Sequence, residues 1–432
     1  MEFNIEECET PASEVLVFVL SSLKEKRKWP ISYWFVDKIK STVQEQLIKI
    51  AITECQKYKI NVLSVSWNGA YVNSSTFNIL GCKLSEEYSN IKPYFSIDQT
   101  KPNVYFTPDA CHNIKLARNA LGTFRAFKNE NEQLIEWRYF EQLFELQNEA
   151  GFKLGNKIGS AHINWKGNSM KVKLAVQTLS SSVADALQYL KETSNDFKNC
   201  EPTIQFIRII DEIFDFLNSR TPSGKDFKQL IHMENIIFKD NRMNSHIKYL
   251  YSLKTIDGVP LWKSQRKTFI IGFATSIKSI INISKDLLVN HGFKFVLTYK
   301  FSQDAIELFF GHMREDSLFS IKWKYKKPFM NQEDEEESTI KLFVDNVSND
   351  PFIKTITDNV LYYISGYKVK KLIPVLQCPN YIKSLFNKSN YTNDHAYCQK
   401  NKEAFNNSIS IKNRGGLQIA SESVFKIVKL TE

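Results

Sequence analysis

Between residues 130 and 295 one long helical pattern follows another, and on either side the texture changes to short apolar strands. The helical runs are EQLIEWRYFEQLFELQNEAG, KVKLAVQTLSSSVADALQYLKET, PTIQFIRIIDEIFDFLNSR and KTFIIGFATSIKSIINISKDLLVNHG, with apolar residues three and four apart. Ahead of them, EVLVFVLSSL and SYWFVDKI read as strands and VQEQLIKIAITECQKY as an amphipathic helix. INVLSVSW then reads as a strand ending in a Gly turn, and NVYFTPDACHNIKLARNAL as a strand running into a basic helix. Behind the helical stretch, FKFVLTYK reads as one more strand. This order predicts an α/β sheet interrupted by a helical module.

The chain has 432 residues, which at about 150 residues per domain is enough for several domains with sizeable cores. Its 57 basic and 47 acidic side chains leave a charge of +10, which suits a nucleic-acid surface and equally an ordinary basic protein. Seven cysteines without a C-x-x-C pair, behind the acidic start MEFNIEECETPASE, predict reduced intracellular thiols. The most apolar stretches, VLVFVLSSL and TFIIGFATSIKSIINI, are broken well short of the ~18 residues that span a bilayer, so a soluble protein is expected. KWKYKKPFMNQEDEEEST, basic and then acidic, reads as a solvated linker.

The segment KFSQDAIELFFG sets Asp304 and Glu307 among apolar residues. Three apart on a helix, the two carboxylates share a face. Such a pair fits a divalent-metal site and fits equally the solvent edge of an amphipathic helix. No G-x-x-x-x-G-K-[ST] is present; GFKLGNK, residues 151–157, has the wrong spacing and lacks the hydroxyl.

VSWNGAYVN (65–73), PDACHNIKLARNAL (108–121) and FSQDAIELFFG together resemble the P-element transposase family, which includes the THAP-domain transposases. The family's stretches look like V-T-C-D-G-x-x-x-N, D-A-C-H-M-L-K-L-A-R-N and S-Q-D-x-L-E-x-F-F. Further likenesses, in the family's order, are VLVFVLSSLKEKRKWPISYWFVDKI, MKVKLAVQTLSSSVADAL, FIRIIDEIFDFLNSR, YISGYKVKKL and the closing RGGL.

The resemblance implies an RNase H-like catalytic fold split by a large helical GTP-binding insertion, plus a small mixed C-terminal segment. The expected division is residues 1–122 for the N-terminal half, 123–295 for the insertion, 296–345 for the C-terminal half and 346–432 for the tail. In such folds three carboxylates converge on two Mg²⁺ ions for in-line phosphodiester displacement. Glu307 matches the third family acid and would be its Mg²⁺ ligand. At the second acid's position stands Asn68, a neutral amide without the charge a hard cation requires. Asp109, at the end of a strand, is a substitute ligand or a helix cap.

For GTP, the likeness nominates Lys157 and Lys171 with neighbouring Val172 near the nucleotide, Asp215 and Asn218 facing guanine, and Asp304 where insertion and catalytic half meet. A carboxylate accepts from the guanine N1 and N2 hydrogens and ammonium groups pair with phosphates. Without the likeness, Asp215 and Asn218 are simply the polar end of a helix. Lys115 and Arg118 of KLARN, with Lys322 and Lys324 of KWKYKKP, are candidates to track a DNA backbone. Cys378, His395 and Cys398 lack the ligands for a zinc site.

The chain departs from the family pattern in lacking a zinc-binding THAP domain and the first catalytic strand, and in following Arg314 with EDSLFSIKWKYKK. Two expectations follow. One is a transposase-derived nuclear protein that binds GTP, contacts DNA without reading its sequence, and lacks the complete cleavage and strand-transfer apparatus. The other is a fragment of an active GTP-dependent cut-and-paste transposase. A homo-oligomer is compatible with either, and neither calls for a membrane.

Overall fold

The computed structural model describes residues 14–307, apart from residues 26, 68–70, 85–86, 99–101, 152, 223 and 305. Asn68, Lys322, Lys324 and the Cys378, His395 and Cys398 candidates lie outside the described residues. Two compact units are present. The first contains, among the described residues, an antiparallel hairpin of β1 (Glu14–Ser21) and β2 (Lys28–Val36), with a register irregularity between Phe18 and Val19.

The second unit, Lys40–Asp304, opens with α1 (Ser41–Lys57), β3 (Ser64–Trp67) and α2 (Tyr71–Ile79). Its small sheet has the order β3-β5-β4, with β5 (Val104–Pro108) parallel to β3 and antiparallel to the short β4 (Tyr94–Phe95). The β3–β5 register runs from Ser64 opposite Tyr105 to Trp67 opposite Pro108. Phe77 of α2 stacks on Phe106 with ring centroids 3.8 Å apart. Helices α1 and α2 are tied by buried bonds from Gln44 to Asn73 and from Thr76 to Gln44.

From β5 the chain enters α3 (Ala110–Phe124), whose buried stripe is Ala110, Ile114, Ala117, Arg118 and Leu121. Asp109 caps it, accepting the His112 N–H at 2.8 Å. A hairpin of β6 (Ala126–Lys128) and β7 (Leu134–Glu136) follows. The helices then come in series: α4 (Arg138–Ala150), α5 (Ser160–Ile163), α6 (Val172–Thr178), α7 (Ser181–Thr193), α8 (Glu201–Leu217), α9 (Ile236–Ser252) and α10 (Thr268–Asn290).

Helix α10 covers both β5 and α3. Its Ser276 and Ser279 hydroxyls donate to the carbonyls of Pro108 and Phe106, each at 2.6 Å. Those bonds satisfy strand carbonyls inside an apolar layer, where an unpaired one costs about 1–3 kcal/mol. No described helix is long and apolar enough to cross a membrane.

Three expectations differ from what forms. FKFVLTYK is not a strand: its one pairing is a single bridge from Val296 to Ile231, and Thr298–Phe301 is a 3-10 turn. The run beginning EQLIEW starts as strand β7 before becoming α4, because Leu134–Glu136 completes the hairpin with β6. KVKLAVQTLSSSVADALQYLKET is two helices, broken at Leu179–Ser180, where α7 restarts behind Ser180.

Candidate functional site

Helix α8 is buried around most of its circumference, and Asp211 and Asp215 lie in its C-terminal half. There the backbone is clasped by Thr298. The Ser219 N–H donates to Thr298 Oγ1 at 2.9 Å, and that hydroxyl donates to the Phe216 carbonyl at 2.6 Å. The Tyr299 N–H donates to the Ser219 carbonyl, and Ser219 Oγ donates to the Lys228 carbonyl. Lys239 of α9, only 2% exposed, turns its ammonium onto the carbonyls of Phe227 and Gln229. Burial drops its pKa to about 8. The 218–229 loop is thereby held at several points.

On this base sit the nominated guanine-facing residues. Asp215 lies 3.4 Å from Lys228 Nζ, and its carboxyl is pushed up to about 6, first by burial and then by the Asp211 charge one turn back. Asp211 itself accepts the Ser181 N–H and hydroxyl at the start of α7. Asn218 Oδ1 accepts from Arg220 Nε at 3.1 Å, and Arg220 Nη2 donates to Asp304 Oδ2. The Arg220 guanidinium carbon lies 5.6 Å from the Tyr299 ring centroid. Asn218 and Asp304, 86 residues apart in the numbering, are thus joined through one side chain. Arg220, Tyr299 and Lys228 carry no sequence signal beyond their types, and sequence reasoning missed them.

Asp304 also takes a long contact from Cys111 Sγ at 3.9 Å. Beside it, Asp109 accepts main-chain N–H groups on both oxygens, from His112 and, at 3.2 Å, from Gln303. Its pKa is raised by burial, partly offset by these two donors. The Asp109 N–H in turn donates to the carbonyl of Trp67, the residue before Asn68.

The phosphate-side candidates lie on loops fastened to α3 and α4. Lys157 is exposed between buried Asn156 and Ile158, with Asn156 Nδ2 donating to Gln147 Oε1 at 3.0 Å. Lys171 is exposed at the N-cap of α6, and Val172, half-buried, opens that helix. The turn before them is set by Arg118, whose Nη2 donates to the carbonyls of Asn168 and Ser169 at 3.1 Å each. Among the described residues no hydrogen bond or ion pair joins this lysine group to the α8 end.

Arg118 corrects the expectation of a DNA-tracking side chain. It is fully buried, with Nε donating to Asn119 and Nη2 to loop carbonyls. Lys115 is half-buried on the same helix, beside His112 and Asp109.

For Mg²⁺ the fit is poor. Among the described residues no group of three or more His, Cys, Asp or Glu side chains is placed to hold a metal; Asp109 is committed to N–H donors and Asp304 to Arg220, and Glu307 is exposed on a helical turn. For a guanine nucleotide, Asp215, Asn218 and Asp304 offer acceptor oxygens, two of them bonded to Arg220, while Lys157 and Lys171 are exposed cations.

The fold defines a class: an RNase H-like α/β fold carrying a helical GTP-binding insertion domain, as in P-element transposase. Residues 2–81 match the TNP-like RNase H N-terminal domain, residues 111–230 the TNP-like GTP-binding insertion domain, and residues 352–432 the C-terminal domain of DNA transposase THAP9. The chain belongs to the P-element transposase-like family. It is 28% identical over 350 residues to human DNA transposase THAP9, covering 79% of this chain and 38% of that protein. To the Drosophila melanogaster Transposable element P transposase it is 24% identical over 318 residues, covering 62% and 41%. The chain therefore spans about two fifths of the length of these relatives. Its fold is similar to the Drosophila P element transposase strand transfer complex, with a TM-score of 0.63 at 20% identity, covering 79% of this chain and 72% of that one.

Proposed function

We propose that this transposase-like chain binds GTP through its insertion domain and contacts DNA in the nucleus through the duplex backbone, without carrying a complete set of metal-binding acids for cleavage and strand transfer. The observation that carries the GTP reading is the C-terminal end of α8, where Asp215 and Asn218 lie within the region matching the GTP-binding insertion and Arg220 links Asn218 to Asp304. In this reading the acceptors take the N1 and N2 hydrogens of guanine, Lys157 and Lys171 pair with phosphate oxygens, and Val172 lies against the nucleotide. Calorimetry on the full chain tests it: GTP binds and ATP binds at least tenfold more weakly. Equal affinity for the two, or no heat with GTP, removes the reading.

The reading of the chemistry rests on Asn68, whose amide would replace a carboxylate at a cation site. Of the acids that the family likeness implies, Glu307 matches the third. The purified chain is expected not to join DNA ends in Mg²⁺ or Mn²⁺. The second reading, a fragment of an active transposase, is favoured by the partial coverage of the relatives. Metal-dependent strand transfer abolished by Glu307→Gln would establish it in place of the first.

A further inference from the structure

Arg220 does in this chain what a guanine base would do at the same place. Guanine presents N1–H and N2–H as two parallel donors on one edge of a flat ring. The side-on edge of a guanidinium, Nε–H with Nη2–H, is also a planar two-donor edge. In the structure that edge is spent on Asn218 Oδ1 and Asp304 Oδ2, two of the acceptors assigned to guanine above. The plane also has an aromatic neighbour in Tyr299, as a stacked base would. Arg220 is half exposed, so solvent is open to it if it leaves.

We propose that Arg220 is a built-in occupant of the guanine subsite, holding Asn218 and Asp304 over Tyr299 until a guanine nucleotide displaces it. The inference rests on the GTP reading of the site and adds a competitor and an aromatic wall to it. A base with a different edge gains less by the exchange: adenine has no N1–H and no N2 amino group, so it would expel a charged donor pair and its single N6 amino group would leave at least one acceptor unpaired. Selectivity for guanine is then set partly by what must be removed.

The sign of one mutation separates this from an ordinary surface ion pair or a phosphate contact. Titration of the full chain with GTP compares the wild type with Arg220→Met, which keeps the stem and loses the donors, and with Arg220→Lys. Arg220→Met is expected to bind GTP roughly two- to fivefold more tightly, the range set by losing a half-exposed ion pair, with Arg220→Lys in between. In Arg220→Ala, millimolar methylguanidinium should compete with GTP, and at the same concentration leave wild-type binding unchanged. Unchanged or weaker GTP binding in Arg220→Met overturns the inference while leaving the GTP reading intact. No GTP binding by any of these proteins removes both.

Discussion

Asp215→Asn is expected to make the protein more stable and a poorer GTP binder, and the size of both effects can be worked from the geometry. The carboxyl is held in a mostly buried setting next to Asp211, with Lys228 as a partial offset, and these raise its pKa from 3.8 to about 6. Between those two pH values the folded state binds more protons than the unfolded one, so stability falls as pH rises through the window. Above about pH 6 the folded chain carries the full cost of the charge, about 2–3 kcal/mol as an upper figure; below about pH 4 it carries none. The amide removes that cost. At pH 7.5 the variant should unfold about 4–8 °C higher, followed by far-UV circular dichroism, and the gain should vanish near pH 4. GTP affinity should fall about tenfold or more, because an amide replaces a charged acceptor, and wild-type affinity should itself decline as pH drops through about 6. A destabilised variant at pH 7.5, or a shift equal at both pH values, would refute the assignment of the strain to the Asp215 charge.

Thr298→Val keeps the shape and removes the hydroxyl that accepts from Ser219 N–H and donates to the Phe216 carbonyl; a loss of about 2 kcal/mol in denaturant unfolding, with weaker GTP binding, is expected. Lys171→Ala should weaken GTP several-fold and leave the melting temperature within about a degree, since the side chain is exposed; a calorimetric titration and a melt decide it. Gly122→Ala would bring a Cβ to 2.5 Å from the Trp165 ring, an overpacking worth about 1–3 kcal/mol that a lowered melting temperature would report.

Much of the architecture could be read from residue spacing. The apolar period of IQFIRIIDEIFDFL and of TFIIGFATSIKSIINI sets the long helices α8 and α10, and Asp109 ahead of a helical run already had the chemistry of a cap. Helix α9 escaped because its buried face includes Lys239 and His246, whose polar side chains interrupt the apolar stripe that marks a helix. Lys239 is tolerated inside by loop carbonyls, and His246 by Glu212 at 2.7 Å, 34 positions away in sequence.

The same limit applies to the site. Local spacing put Asp215 and Asn218 one turn apart at a helix end and placed Asp304 before Glu307, which follows from helix geometry alone. Whether Arg118 faces solvent or the Asn168–Ser169 turn, and whether FKFVLTYK finds a strand to pair with, depends on partners brought in from far along the chain. So does the bridge from Asn218 through Arg220 to Asp304. Amino-acid order alone determined the apolar faces of the long helices α8 and α10; only tertiary packing decided where the other helices start, which charges are buried and what each one meets, because desolvation and hydrogen bonding of a charge are set by neighbours in space.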